Sequence, residues 1–257
     1  MSNEETNVML NFNKQLHDLV EAKLQLVITN GNNKDFFMAF VMGKAFKTYE
    51  AIGLLCRSGY GEDAFMLART LLELMVTSAY VLHDETEDTL MRYMSYDWVT
   101  RKKMYDYIAT KDELLTGLNK AVESGNKEGT LAEIEEEYKK VMEKYKYKNG
   151  WSDKSIKGMS ETIGRSDLYN TVYSLQCTIG HTNARSMNDY MNHTEEGTIL
   201  NIGENWKLSR TTLVVAFDCF FHIAKEASSR FGWKIETVLE ELAKKWSEEV
   251  GKIKEAI

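Results

Sequence analysis

Residues 57–80 read Arg57-Ser-Gly-Tyr-Gly-Glu-Asp-Ala-Phe-Met-Leu-Ala-Arg69-Thr-Leu-Leu-Glu73-Leu-Met-Val-Thr-Ser-Ala-Tyr80. The opening Ser58-Gly59-Tyr60-Gly61 is turn chemistry, because glycine enters backbone conformations that end a helix. Glu62 and Asp63 follow, and carboxylates suit the positive end of a helix dipole. Beyond them Ala68, Leu72, Met75 and Ala79 recur at spacings of three and four, one apolar stripe of a helix running to about His83. Beside that stripe Glu62, Met66, Arg69, Glu73 and Tyr80 form a second ridge. The stretch therefore predicts a core helix with an ion pair set into it.

The same reading extends in both directions. Phe12, Leu16, Leu19, Val20 and Val27 predict a first helix over about Asn7–Thr29, and Asn30-Gly31-Asn32-Asn33 a turn. Asp35 is expected to cap a second helix through about Arg57. That helix carries Phe36, Phe37, Phe40, Val41, Tyr49, Ile52 and Leu55 on most sides, which predicts a central place for it. A fourth helix is expected from Thr86 to about Thr110. Residues 111–148 alternate Glu and Lys around a thin apolar line of Leu131, Ile134, Tyr138, Val141, Met142 and Tyr145, the pattern of a solvated helical hairpin. A short helix over about Ser155–Ile163 precedes one opened by Asp167 that reaches Gly180-His181 and extends toward Met191. Gly197–Gly203 is the one strand-like stretch, read as a small hairpin or an extended loop. Two more helices are expected, about Ser209–Arg230 and from about Glu236, the latter with Val238, Leu239, Leu242, Trp246, Val250 and Ile253.

Composition agrees with this architecture. The 257 residues include no proline and 16 glycines, which fits long helices joined by short polar turns. An apolar share of 43% and a charged share of 28% describe a chain that buries a core, not a disordered or disulfide-built one. Cys56, Cys177 and Cys219 are far apart, odd in number and set in apolar runs, so they read as reduced core thiols. The net charge of −7 gives no broad basic field, which disfavours nucleic acid as a partner without excluding a local patch. The acidic N-terminus lacks a signal-peptide core, and the apolar stretch Phe36–Leu55 is broken by Lys44, Lys47 and Glu50. A cytoplasmic protein that does not engage a membrane is expected. The sequence thus predicts an all-α multi-helix bundle with a protruding charged helical hairpin. A single domain spans residues 1–257, with 111–148 as its insertion.

The chain has no Walker A loop, no G-x-G-x-x-G, no H-E-x-x-H, no EF-hand loop and no G-x-S-x-G. What remains is polar chemistry on apolar helices. Arg69 and Glu73, four apart, either pair within the core and fix helix register or face an internal cleft as anion clamp and base. In Tyr169–Arg185, a continuous helix would set Ser174, Cys177 and His181 on one face. His181, Glu73 and Arg69 are the candidate catalytic residues. Tyr80, Tyr173, Ser174 and Arg185 are the candidate binding residues. A zinc or manganese trio of His181, Asp189 and His193 is conceivable, but its angular spread on one helix is broad. No metal and no cofactor is expected.

These segments resemble a known family. Asp63-Ala64, Leu67, Arg69, Leu71, Glu73 and Tyr80, followed by Trp151, Tyr169, Tyr173, Ser174 and His181, are similar to the motifs of the bacterial all-helical family catalogued as domain of unknown function 5677. The similarity covers roughly residues 35 to 230. Two departures are Gly180 directly before His181 and the charged hairpin at 111–148. The resemblance implies a bundle similar in outline to the HEPN proteins, many of them ribonucleases of toxin and phage-defence systems. Their signature, Arg then four to six residues then His, is not present: His181 precedes Arg185, and seven residues separate Arg185 from His193. Two functions follow as expectations. One is a binding or sensing protein in a stress or defence setting that forms homo-oligomers or meets a protein partner. The other is a ribonuclease or nucleotide-acting enzyme in which Arg69 holds phosphate, His181 moves a proton and Glu73 orients it.

Overall fold

The computed structural model describes residues 3–24, 31–123, 131–148, 150–173, 187–200, 202–204, 206 and 208–255. Its helices are α1 (Asn3–Glu21), α2 (Asn33–Arg57), α3 (Gly61–His83), α4 (Asp88–Ala109), α5 (Asp112–Glu123), α6 (Leu131–Tyr145), α7 (Ile156–Thr162), α8 (Ser166–Leu168), α9 (Met187–Tyr190), α10 (Ser209–Phe231) and α11 (Glu236–Glu255). A π-helical turn, Tyr169–Tyr173, continues α8. β1 (Met191–Thr194) and β2 (Gly197–Leu200) pair antiparallel, with Met191 opposite Leu200 and Thr194 opposite Gly197. The all-α bundle read from the sequence is the fold, and the strand-like stretch is one arm of a small hairpin.

The chain divides into two compact units, Met1–Tyr80 with Ile156–Ile257, and Val81–Ser155. In the first, α10 touches α1, α2 and α11. Leu213, Ala216, Phe217, Phe220, Ile223 and Ala224 are buried along it. Tyr49 of α2 stacks on Phe220 at 4.2 Å, and Trp246 of α11 stacks on Phe217 at 4.5 Å. Truncating either phenylalanine costs about 3–5 kcal/mol on this scale of burial. The central place expected for α2 belongs to α10 instead. Phe36, Phe40 and Leu54 of α2 stay about half exposed, so α2 is apolar all round without being enclosed all round.

Cap chemistry sets the ends of α2. Asn32, not Asp35, is the cap: its side chain accepts from the Asp35 N–H at 3.0 Å, and Asp35 accepts from the Asn32 N–H at 2.9 Å. Asp35 also pairs with Arg230 of α10 at 3.2 Å, so the start of one helix is tied to the end of another. At the far end Gly59 N–H bonds Cys56 O at 3.3 Å and Tyr60 N–H bonds Leu55 O at 2.9 Å, with Gly59 at φ +78°. That is a Schellman closure, which favours glycine at its left-handed position. A Cβ at Gly59 would stand 2.7 Å from the Glu204 Cβ and 3.1 Å from the Trp206 ring, so the side chains of Glu204 and Trp206 take up the space a larger residue would need.

The second unit has its own core of Val99, Val141, Tyr145 and Tyr147, with Tyr96, Trp98, Tyr138 and Met142 against it. The charged stretch 111–148 lies within this unit as α5 and α6, and both touch α4. Arg92 donates to Trp151 O at 2.7 Å and pairs with Asp153 at 2.8 Å, while the Tyr147 hydroxyl donates to Arg92 O at 2.5 Å. These bonds fasten the segment after α6 back onto α4. Among the described residues one helix, α3, is long and apolar enough to cross a membrane, with mean hydropathy 1.4. In this structure Ala64, Phe65, Ala68, Leu71, Leu72 and Val76 of α3 are fully buried in protein.

Candidate functional site

Arg69 and Glu73 lie one turn apart on α3, as their spacing requires. Arg69 Nε donates to Glu73 Oε1 at 3.1 Å. The third member comes from the π-helical turn: Arg69 Nη2 donates to the Tyr173 hydroxyl at 3.1 Å, and that hydroxyl donates to Glu73 Oε1 at 2.9 Å. Guanidinium, carboxylate and phenol close a triangle, with one carboxylate oxygen accepting from both partners. The guanidinium also lies over the Tyr173 ring, 4.9 Å from its centroid, and Tyr169 stacks on that same ring at 4.8 Å between centroids. Tyr169 and Tyr173 are four apart, which a helical turn places side by side.

The electrostatics follow from partial burial. The side chains of Arg69 and Glu73 are 21% and 37% exposed, so the ion pair is neither sealed nor free in water. Desolvation pushes the Tyr173 phenol up to about 12, with Arg69 opposing and the Glu73 carboxylate adding to the shift. Tyr173 is therefore neutral at physiological pH and acts as a hydrogen-bond bridge. The cluster binds charge to charge and holds the segment carrying Tyr173 against α3.

Of the other sequence candidates, Tyr80 is half-buried near the end of α3, on the ridge of Arg69 and Glu73. Ser174, His181 and Arg185 lie outside the described residues, as does Cys177. The helix expected from Asp167 is described through Tyr173, and it changes from α8 into the π-helical turn on the way. Of the conceivable metal trio, His193 sits on β1 with Nδ1 2.9 Å from Thr198 Oγ1 across the hairpin. His181 and the Asp189 side chain are outside the description. Another potential ligand group is present among the described residues: His17, Asp18 and Glu21 on α1, whose donor atoms lie within 4.8 Å of one another.

A second polar cluster escaped the sequence reading. The Arg165 guanidinium meets the ring of His222, 3.1 Å from Nδ1 and in contact with Nε2 as well. Asp218 Oδ1, one turn earlier on α10, lies 3.5 Å from His222 Nε2. Asp218 Oδ2 is buried with no partner among the described residues. The signal was there: Asp218 and His222 are four apart in an otherwise apolar run, the same pattern that drew attention to Arg69 and Glu73. Arg165 and Tyr173 belong to one short stretch, so α7, α8 and the π-helical turn supply a partner to the charged pair of α3 and to that of α10.

The three thiol positions divide in the same way. Cys56 and Cys219 are buried and free. Burial pushes the Cys56 thiol up to about 12 and the Cys219 thiol higher still, so neither is a nucleophile at neutral pH.

No curated protein and no solved structure matches the chain. The family model described as "Family of unknown function (DUF5677)" matches residues 35–199. The match ends earlier than the extent to residue 230 expected from the motifs, and it includes Arg69, Glu73 and Tyr173. It takes in well over half of the chain, and the protein belongs to the family DUF5677.

Proposed function

We propose that this protein is a non-catalytic binding and interaction protein of the cytoplasm, assembling with copies of itself. The Arg69–Glu73–Tyr173 triangle serves its architecture. The observation that carries this reading is the closure of the triangle: guanidinium, carboxylate and phenol each bond both of the others. A general base needs a carboxylate or imidazole held for the substrate's proton. Glu73 Oε1 already accepts two protons' worth of bonding, and the phenol that bridges it stays protonated. Self-assembly draws support from large apolar residues left half exposed in each unit, Phe36 and Phe40 of α2, and Met94, Met104 and Tyr107 of α4. A cytoplasmic setting draws support from two buried thiols with no disulfide partner.

The test has two arms. Light scattering over a range of concentrations is expected to give a mass above that of one chain. Incubation with RNA and nucleotides is expected to give no turnover above that of Arg69→Ala. A monomer at every concentration removes the assembly reading, and turnover that disappears in Arg69→Ala replaces the architectural role with a catalytic one.

A further inference from the structure

One side of α2 faces outward. Phe40, Gly43, Lys47, Glu50, Leu54 and Arg57 are all exposed along it, and their spacings of three and four are those of a heptad seam. The opposite side, with Val41, Ala45, Ile52 and Cys56, is buried in the core. Phe40 is 51% exposed and Leu54 54%, so large apolar groups stand in water toward both ends of the ridge. At 1.5 Å per residue the ridge is about 25 Å long.

The order of residues along this ridge is self-complementary. The spacings read three, four, three, four, three, the same from either end. A second copy of α2 lying antiparallel therefore places every ridge position opposite another, about a centre between Thr48 and Tyr49. Lys47 then faces Glu50, Gly43 faces Leu54 and Phe40 faces Arg57, each contact occurring twice. Every one of these pairs matches in chemistry. Lys47 and Glu50 carry opposite charges, and neither makes an ion pair within the chain among the described residues. Gly43 has no side chain, and a Cβ there would meet nothing within 4 Å, which leaves a recess for Leu54. The Arg57 guanidinium suits the face of the Phe40 ring. A parallel pairing would instead set Lys47 on Lys47 and Glu50 on Glu50, and like charges in contact disfavour it.

We propose that two copies of this chain pair through α2, antiparallel, about a two-fold axis level with Thr48 and Tyr49. This rests on the self-assembly reading above and names the surface that performs it. The seam is short and half polar, which sets the dissociation constant in about the micromolar range. The two Lys47–Glu50 contacts lie at the edge of water, so the dimer weakens as salt screens them.

Sedimentation equilibrium of the full chain across the micromolar range tests this, and wild type is expected to dimerise. Lys47→Glu sets carboxylate against carboxylate in both central contacts, and Glu50→Lys sets ammonium against ammonium. Both positions are exposed, so each variant is expected to keep its helical circular dichroism. Each alone should dimerise at least about tenfold more weakly than wild type. An equimolar mixture of the two variants should recover the wild-type affinity, because their charges match across the seam, and so should the double variant Lys47→Glu/Glu50→Lys. Wild-type affinity in both single variants overturns this surface and leaves self-assembly itself standing. Weakened single variants with no recovery in the mixture or in the double variant also overturn it, since the loss then does not come from pairing across the seam. A monomer at every wild-type concentration overturns both this surface and the self-assembly reading.

Discussion

The Tyr173 hydroxyl donates to Glu73 Oε1 at 2.9 Å, joining residues 100 positions apart in the chain. The same hydroxyl accepts from Arg69, so one phenol oxygen sits between the two halves of an ion pair. Tyr173→Phe keeps the ring under the guanidinium and removes only this bridge. A loss of about 1 kcal/mol in unfolding free energy is expected, the net worth of a part-buried hydrogen bond. Glu73→Ala should cost more, because it leaves the Arg69 guanidinium in the same half-buried place without its counter-charge. In a double-mutant cycle between Tyr173→Phe and Glu73→Gln the effects should fall short of additivity by about 0.5 kcal/mol or more. Strict additivity in urea unfolding would show that the triangle is a coincidence of position.

Two glycines of α2 and its end predict opposite signs for the same substitution. Gly59 holds φ +78°, and a Cβ there would stand 2.7 Å from the Glu204 Cβ. Gly59→Ala therefore combines left-handed strain with a collision, and a loss of about 1–3 kcal/mol is expected. Gly43 lies inside the helix with nothing within 4 Å of its Cβ position. Gly43→Ala removes backbone freedom from the unfolded chain and should add about 0.5–1 kcal/mol. Thermal melts of the two variants measured side by side check both signs at once.

The triangle on α3 shows what spacing makes legible. Arg69 and Glu73 were readable as a pair because one helix fixes the geometry of residues four apart. Tyr173 could be named as a candidate but not joined to them, since the contact depends on how two distant segments meet. Asn32 and Asp35 illustrate a narrower limit. Both are cap-type residues three apart, and a capping box uses both, so composition identifies the motif without saying which member is the cap. Apolarity on most sides suggested that α2 is central, yet it cannot distinguish a helix enclosed by protein from one with Phe36 and Phe40 facing outward. Buried polar atoms without a partner are invisible for a different reason. Asn13, His17 and Tyr49 occupy ordinary helix positions, and only burial of a polar atom without a partner sets them apart.

The start of α4 should make stability depend on acid. Asp84 accepts from the Thr89 N–H at 2.8 Å, the Thr86 hydroxyl at 2.7 Å and the Thr86 N–H at 2.9 Å. These bonds hold its carboxyl well below the usual carboxylate value, the Thr89 N–H contributing most. A depressed folded-state value means that the stabilisation is complete above the unfolded value and is lost as pH falls beneath it. Wild type should therefore lose stability below about pH 4. Asp84→Ala should lose about 1 kcal/mol at neutral pH, as for other helix-start caps, and should show a shallower fall in acid. Urea unfolding between neutral pH and pH 3, followed by helical circular dichroism, measures both. An unchanged acid slope in the variant would assign the acid sensitivity to other carboxylates.

Cys56 and Cys219 offer a probe of how the first unit opens. Both are fully buried, and Cys56 Sγ lies 3.9 Å from Ser209 O at the start of α10. With the Cys56 thiol pushed up to about 12 and Cys219 higher, thiolate is scarce even before access is considered. In a Cys177→Ser background, a thiol reagent at about pH 8 should leave both unmodified in the native protein and modify both in denaturant. Slow native labelling, where it occurs, reports local opening, and its rate relative to a free thiol gives the opening equilibrium. Cys56 lies on α2 and Cys219 on α10, two helices in direct contact. If that contact opens as one unit, the two thiols should label at matching rates, and Gly59→Ala should speed both alike. Fast labelling of Cys56 alone would instead locate the weak point at the end of α2, where the Schellman closure holds it.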